Sequence, residues 1–351
     1  MSALPDLQEQ VRAAVADRRP LCIVGGNSKR HLGREAMGER VDISGYSGVV
    51  DYQPSELVIT VRAGTTISEL QEVLAGENQV LACEPPEFDG RSTVGGTLAC
   101  NLSGPSRPWL GSIRDHVLGV RLINGRGEHL RFGGQVMKNV AGYDMSRLMA
   151  GAMGTLGVLT EITLKVMPLP EATLTLRRTT AAGDALRAMN GVCRSPLPLT
   201  GVCWHDGEMY VRLAGPASVI AAAAERIDGR VVPDDRGFWS GLRQMDLPFF
   251  AGAEDLWCIS LRSTREHFMP DANWLIDWRG ARRWLAARCD RGSIEDHLRD
   301  TGGEAWQVRG AGNGADVFPA RSEPYRAMLL RLKRALDPGG IFNPGRLYSW
   351  M

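Results

Sequence analysis

Two glycine-rich strings are the parts of this chain best suited to hold a charged ligand: Val24-Gly25-Gly26-Asn27-Ser28-Lys29 and Ser92-Thr93-Val94-Gly95-Gly96-Thr97. Glycine lets backbone approach a ligand closely, and successive N–H groups in a glycine turn form a concavity that binds anions. Either string alone reads as an ordinary tight turn. Together, far apart in sequence, they suit one diphosphate gripped from two sides. Lys29 and Arg30 add cations beside the first loop, which complement phosphate. The common dinucleotide fingerprint is met only by Gly310-Ala311-Gly312-Asn313-Gly314-Ala315. There Pro319 and Arg321-Ser322-Glu323-Pro324 follow where a helix should begin. The expected ligand is therefore a dinucleotide held outside a Rossmann fold.

Other chemistries find little support. No serine sits in G-x-S-x-G, and H-E-x-x-H is absent. The histidines, His31, His116, His129, His205, His267 and His297, lack paired ligand spacing, so no metal site is expected. The 7 cysteines form no C-x-x-C pair, and most lie in apolar strings such as Leu21-Cys22-Ile23, as reduced buried thiols do. A net charge of +1 gives no excess for a nucleic acid. The absence of a signal-like N-terminus or a membrane-length apolar run leads us to expect a cytoplasmic protein.

The elements that must position the two loops can be read from periodicity. Leu7, Val11, Ala14 and Val15 recur at helical spacing, and Leu21–Val24 is the strand feeding the first loop. Ser47–Tyr52 and Leu57–Val61 read as strands. Thr66 and Glu69 have capping-box spacing ahead of a helix with Ile67, Leu70 and Leu74 on one face, closed by Gly76. Val117–Ile123, the turn Asn124-Gly125-Arg126-Gly127 and Glu128–Phe132 form a hairpin signal. Met145–Met149 is a short helix, and Val158–Val166 alternates as a strand stopped by Pro168 and Pro170. Beyond it, strands at Thr173–Thr179, Met209–Leu213, Trp257–Leu261 and Trp274–Trp278 alternate with helices at Ala185–Val192 and Ala217–Ile227, implying an antiparallel sheet. Trp204, Trp239, Trp257, Trp274, Trp278, Trp284 and Trp306 are expected mainly as core. Trp274, Trp278 and Arg282 would share a face if helical. Tyr325–Leu336 reads as the last helix, stopped by Asp337-Pro338-Gly339-Gly340.

Several strings also carry a resemblance. Asp51-Tyr52-Gln53-Pro54-Ser55-Glu56-Leu57, Asn101-Leu102-Ser103-Gly104-Pro105-Ser106-Arg107-Pro108-Trp109, Lys138-Asn139-Val140-Ala141-Gly142-Tyr143-Asp144 and Leu336-Asp337-Pro338-Gly339-Gly340-Ile341-Phe342-Asn343-Pro344-Gly345-Arg346-Leu347 are the most specific. With the two loops, they resemble the vanillyl-alcohol-oxidase or PCMH-type flavoproteins, and within these the FAD-binding subunits of bacterial glycolate oxidases. The resemblance implies an α+β fold. A PCMH-type FAD-binding domain of two α+β subdomains would span residues 1–168. A smaller α+β cap would span 169–335, and a tail, 336–351, would return to the flavin domain.

The resemblance assigns FAD contacts to Gly25, Gly26, Asn27 and Ser28 in the first pyrophosphate loop and to Thr93, Val94, Gly95 and Gly96 in the second. Asn101, Ser103, Gly104, Gly111 and Asp115 would border the ribityl chain and ring, with Gly157, Val158 and Asn343 completing the set. Asn27 stands where some relatives carry a flavin-linking histidine, implying non-covalent FAD. Ala315 and Met153 replace a histidine and an acidic residue of relatives that oxidise hydroxy acids, so no catalytic base is assigned. The implied function is a flavin-carrying, electron-transferring subunit of a heteromeric glycolate oxidase. Its partners would be a homologous FAD-containing catalytic subunit and an iron–sulfur subunit, acting on a small 2-hydroxy acid. It would use no nucleic acid and no membrane insertion, with at most peripheral attachment to the inner membrane. Two alternatives stand beside it: a self-sufficient FAD oxidoreductase using His205 or Tyr210 in the cap on another alcohol or 2-hydroxy acid, and a non-catalytic scaffold.

Overall fold

A computed structural model describes residues 3–134, 144–266, 269, 271–310 and 316–351. The Lys138–Tyr143 string, His267 and most of the Gly310–Ala315 string lie outside the described residues. Two compact units emerge: Met1–Leu102 with Ser112–Pro168 and Asn313–Met351, and Ser103–Gly111 with Leu169–Gly312. The chain thus returns to the first unit earlier than residue 336, and the short stretch 103–111 leaves it.

In the first unit, the strands are β1 (Leu21–Val24), β2 (Glu39–Asp42), β3 (Val49–Gln53), β4 (Val58–Arg62), β5 (Gln79–Val80), β6 (Val117–Ile123), β7 (His129–Gly133), β8 (Val158–Lys165) and β9 (Met167–Pro168). Strands β3-β4-β8-β6-β7, in that order, form an antiparallel sheet, while β1 pairs with β2 in parallel and β5 with β9. The β6–β7 hairpin closes with Ile123 opposite His129, where the Asn-Gly turn predicts it. Val58, Ile59, Thr60 and Val61 are all buried, because β4 is central and covered on both faces.

The helix Ile67–Ala75 starts as its sequence dictates. Thr66 Oγ1 accepts from Glu69 N at 3.1 Å, and Glu69 returns a carboxylate to Thr66 N at 2.7 Å. Gly76 ends it in right-handed backbone (φ −58°), and the left-handed turn falls two residues later on Asn78 (φ 52°). Helix Leu4–Asp17 lays Leu7, Val11 and Ala14 on the same core.

In the second unit, β10 (Ala172–Thr179), β11 (Leu199–His205), β12 (Glu208–Gly215), β13 (Arg230–Val231), β14 (Leu256–Ser260), β15 (Asn273–Asp277), β16 (Arg282–Ala286) and β17 (Glu304–Arg309) form one eight-stranded sheet, ordered β13-β10-β12-β11-β15-β16-β14-β17. Each described pairing in it is antiparallel. Alternation sorts its residues between two cores. Val202, Trp204, Trp257, Ile259, Trp274 and Ile276 face one, and Cys203, Cys258, Leu275 and Trp284 face the other.

The expected helical face of Trp274, Trp278 and Arg282 does not form. Trp274 is on β15, Trp278 is in the following turn and Arg282 opens β16. Arg282 instead grips buried Asp277 with two guanidinium nitrogens and lies 3.7 Å from the Trp278 ring centroid. All 7 cysteines are free thiols.

Candidate functional site

The first glycine loop leaves β1 at a point held from both sides. On one side β2 pairs with β1. On the other the C-terminal tail adds a short extension, with Leu21 N donating to Ile341 O at 2.7 Å and Asn343 N to Leu21 O at 2.9 Å. The chain then turns sharply, and Asn27 takes left-handed backbone (φ 54°), which asparagine tolerates better than most residues. Among the described residues, the N–H groups of Gly25, Gly26, Asn27 and Ser28 have no hydrogen-bond acceptor. Four consecutive unspent amides form an anion cradle. Gly26 also cannot carry a side chain, because a Cβ there would stand 1.6 Å from Arg91 O. The two loops therefore lie backbone to backbone.

The second loop differs from its expected role as a matching cradle. Val94 N donates to Thr65 O, Gly95 N to Ala63 O, Gly96 N to Thr93 Oγ1 and Thr97 N to Thr93 O. Its amides are spent within the protein, so it forms the floor beside the first loop and not a second set of donors. Ser92 ties the two together: its Oγ lies 2.7 Å from Lys29 Nζ and 3.3 Å from Ser28 Oγ.

A cavity of about 330 Å³ opens here, within the size range of ligand pockets. Gly25, Gly26, Asn27, Ser28, Thr93, Gly95, Gly96, Gly157 and Asn343 all line it. A second hollow of about 380 Å³ shares Gly25, Gly26, Asn27, Arg40 and Thr93 with it. The donor-rich turn is thus common to two hollows, which suits an elongated ligand with its anion in the middle. These residues fit FAD on three grounds: unspent amides, close backbone approach, and cations without matching carboxylates. Lys29 and Arg346 are the cations, and both line the cavity.

Lys29 is only 7% exposed, with Nζ bonded to Ser92 Oγ and near Ser28 Oγ, and no carboxylate pairs with it among the described residues. Burial brings its ammonium down from the usual lysine range to about 8. Arg346 donates to Lys29 O at 3.0 Å and also to the carbonyls of Arg30 and Arg34, bracing the loop from the tail. Burial lowers its pKa as well.

Asn343 acts through backbone. Its Oδ1 accepts from Ile23 N and its Nδ2 donates to Met153 O, both at 2.7 Å, and its φ is 41°. It clamps β1 to the Met153–Gly154 turn. Asn343→Ala leaves two buried backbone groups unpaired, each worth about 1–3 kcal/mol, and puts alanine in left-handed backbone. Equilibrium urea unfolding is expected to show a loss of about 3 kcal/mol or more, with FAD affinity reduced in parallel.

The remaining expected residues are placed differently. Val94 and Val158 point into the core. Asn101 ends helix Val94–Cys100 in left-handed backbone (φ 52°), its Oδ1 buried without a partner among the described residues. Asp115 is a local cap, accepting from Ser112 N and Oγ at 2.8 Å. Ser103, Gly104 and Gly111 belong to the second unit, where Gly104 O accepts from Trp278 Nε1 and Ser103 O from Arg282. In the second unit, His205 packs edge-on against Phe249 and Tyr210 stacks on Phe238 at 3.8 Å, so both are aromatic packing groups.

Sequence reasoning missed Cys22, Ile23, Arg40, Ala99 and Cys100 as lining residues, whereas the glycine density around Met153 and Gly154, which also line the cavity, pointed to close approach without deciding it. Adjacency to the loops was the only signal available for most of them.

A family model described as an FAD binding domain matches residues 3–133. The chain is 46% identical over 343 residues to glycolate oxidase subunit GlcE of Escherichia coli (strain K12), covering 98% of this chain and 97% of that protein. It is 36% identical over 129 residues to glycolate oxidase subunit GlcD of Bacillus subtilis (strain 168), covering 36% of this chain and 27% of that one. Among solved structures it is similar to alkyldihydroxyacetonephosphate synthase, with a TM-score of 0.72, 16% identity, and coverage of 97% of this chain and 75% of that chain.

Proposed function

Because the chain belongs to the family of glycolate oxidase subunit GlcE, we propose that it is the FAD-binding subunit of a heteromeric glycolate oxidase that oxidises glycolate to glyoxylate. The observation that carries this reading is the row of amides from Gly25 to Ser28, unspent among the described residues, beside Lys29, a cation with which no described carboxylate pairs. FAD, when bound, supplies the redox chemistry. The chain's own residues bind and orient it. Gly25–Ser28 meet the diphosphate, Gly96 keeps the floor free of a side chain beside Lys29, Gly95 lets helix Val94–Cys100 pack against Ala63, and Asn343 and Arg346 hold the first loop in place. Asn27 stands where some relatives carry a flavin-linking histidine, and we infer from that resemblance that FAD is held without a covalent bond.

The partners in this reading are a GlcD-like, FAD-containing catalytic chain and an iron–sulfur chain. Nothing in the described residues of the second unit is poised as a base toward a hydroxy acid, with His205 and Tyr210 packed in aromatic clusters. We therefore assign this chain to carrying electrons and the chemistry on glycolate to the GlcD-like partner. No helix among the described residues is long and apolar enough to cross a membrane. We place the chain in the cytoplasm, with any membrane contact made through the complex.

Anaerobic addition of glycolate tests the assignment. The flavin of the isolated chain is expected to stay oxidised, and that of the assembled complex to bleach. Bleaching of the isolated chain's flavin by glycolate would favour a self-sufficient oxidoreductase.

A further inference from the structure

Lys29 is a buried cation facing the cavity, and no carboxylate among the described residues pairs with it; Glu35, which also lines the cavity, is paired with Arg30. Such an arrangement is costly unless an anion arrives or the proton leaves. We infer that Lys29 is the countercharge for the FAD diphosphate and that it takes up a proton as FAD binds, making flavin loading pH-dependent. This rests on the proposed FAD site and adds its regulation.

The surroundings support the assignment. Lys29 Nζ would lie 3.8 Å from a Cβ on Gly96, so it reaches the floor of the cavity next to the unspent amides. Its only hydrogen-bond partners among the described residues are the neutral hydroxyls of Ser28 and Ser92, and the Phe88 ring lies 5.7 Å away. Charged and titratable groups approach it from several elements. From helix Val94–Cys100 comes the Cys100 thiol, held neutral because burial raises its pKa. From the tail comes Arg346, a cation directed at the Lys29 carbonyl. From the loop itself, Arg30 is paired outward with Glu35, and His31 packs edge-on against Phe88. From β2, Arg40 pairs with Asp42 at 2.6 Å. From the loop before Ser92, the Glu87 carboxylate is engaged by Ser68 Oγ at 3.1 Å. None of these neutralises the ammonium, so the field at Lys29 is positive, as a diphosphate requires.

The sign of the coupling follows. In the FAD-free protein the lysine loses its proton above about pH 8. Bound diphosphate favours the charged form and raises that value. FAD affinity is therefore full below about pH 8 and falls by up to tenfold per unit above it, until the lysine of the complex also titrates.

Titrating FAD into the unmodified chain at about pH 9, in buffers of different ionisation enthalpy, is expected to show uptake of up to one proton per FAD. Riboflavin, which lacks the diphosphate, should bind without it. Lys29→Met is expected to weaken FAD about ten- to a hundredfold at pH 7 and to flatten the pH profile, converging on the unmodified chain at high pH. Its FAD-free form should melt no lower than the original, because a buried unbalanced cation has been removed. A purely structural lysine would instead give an early-melting variant. FAD binding without proton uptake, or with affinity unchanged in Lys29→Met, overturns this inference while leaving the FAD site standing. Failure of the unmodified chain to bind FAD at any pH overturns both. The proton count requires no variant to fold.

Discussion

Gly96→Asp is expected to abolish FAD binding while leaving the fold intact. Gly96 is the third residue of helix Val94–Cys100, in ordinary right-handed backbone, and its N–H is capped by Thr93 Oγ1 at 3.1 Å. A Cβ there would stand 3.1 Å from Thr93 Oγ1 and 3.8 Å from Lys29 Nζ, with no backbone atom closer. An aspartate can therefore be built at this position. It also suits the first turn of a helix and can pair with Lys29. The same carboxylate occupies the floor of the cavity and faces the diphosphate. Placing like charges together in a desolvated site costs several kcal/mol, and about 3 kcal/mol already lowers affinity more than a hundredfold. The measurement is FAD affinity beside the thermal midpoint of the FAD-free chain. Affinity should collapse and the midpoint should hold or rise. Gly96→Ala separates charge from bulk, since it adds the Cβ alone and should lose far less.

The largest stability effect is expected at Asp337. Lys333 and Asp337 form a buried knot under the tail. Lys333 Nζ donates to Asp337 Oδ2 at 2.6 Å, to Thr155 O at 2.7 Å and to Phe342 O at 2.8 Å. Asp337 in turn accepts from Ile341 N at 3.2 Å and Phe342 N at 2.9 Å. The pair thus fixes the tail segment that extends the sheet beside β1 and presents Asn343. Asp337→Ala leaves a buried ammonium without its counter-ion and two buried N–H groups unpaired. Removing one partner of such a pair typically costs about 3–5 kcal/mol. Urea unfolding of the FAD-free chain should register that loss, and FAD binding should weaken with it because the tail braces the first loop. The double variant Lys333→Met with Asp337→Leu should recover only the part of the loss due to the unbalanced ammonium, since the N–H groups of Ile341 and Phe342 and the carbonyls of Thr155 and Phe342 stay unpaired. A loss under about 1 kcal/mol for Asp337→Ala would mean the tail is held by its apolar contacts alone.

What the sequence made legible is local. The capping box at Thr66 and Glu69, the hairpin around Asn124-Gly125, and the strand leading into the first loop each depend on residues within a few positions of one another. The two glycine loops were also recognisable as neighbours of one ligand, and they do meet, with Gly26 against Arg91. What stayed hidden depends on partners distant in sequence. No residue type reveals that the amides of Val94 and Gly95 are spent on Thr65 and Ala63 while those of Gly25–Ser28 are not. The same holds for Lys29, which reads as an ordinary loop cation until its burial is known. The grouping of Ser103–Gly111 with the second unit goes with contacts to Trp278 and Arg282, 174 and 179 residues further along the chain. The order of the eight-stranded sheet was equally out of reach, because β13 and β10 or β14 and β17 find each other across intervening strands. Asn343 shows the difference most plainly. Its string marks it as important, but its geometry makes it a clamp between Ile23 and Met153, with both side-chain atoms engaged by backbone.

The visible absorption spectrum of the purified chain, taken before and after heat precipitation, tests the central claim most directly. A flavin spectrum that co-purifies with the chain, and moves wholly to the supernatant as FAD once the protein is precipitated, is the result expected from a diphosphate held by Gly25–Ser28 without a covalent link. A folded chain that stays colourless after incubation with FAD would contradict it.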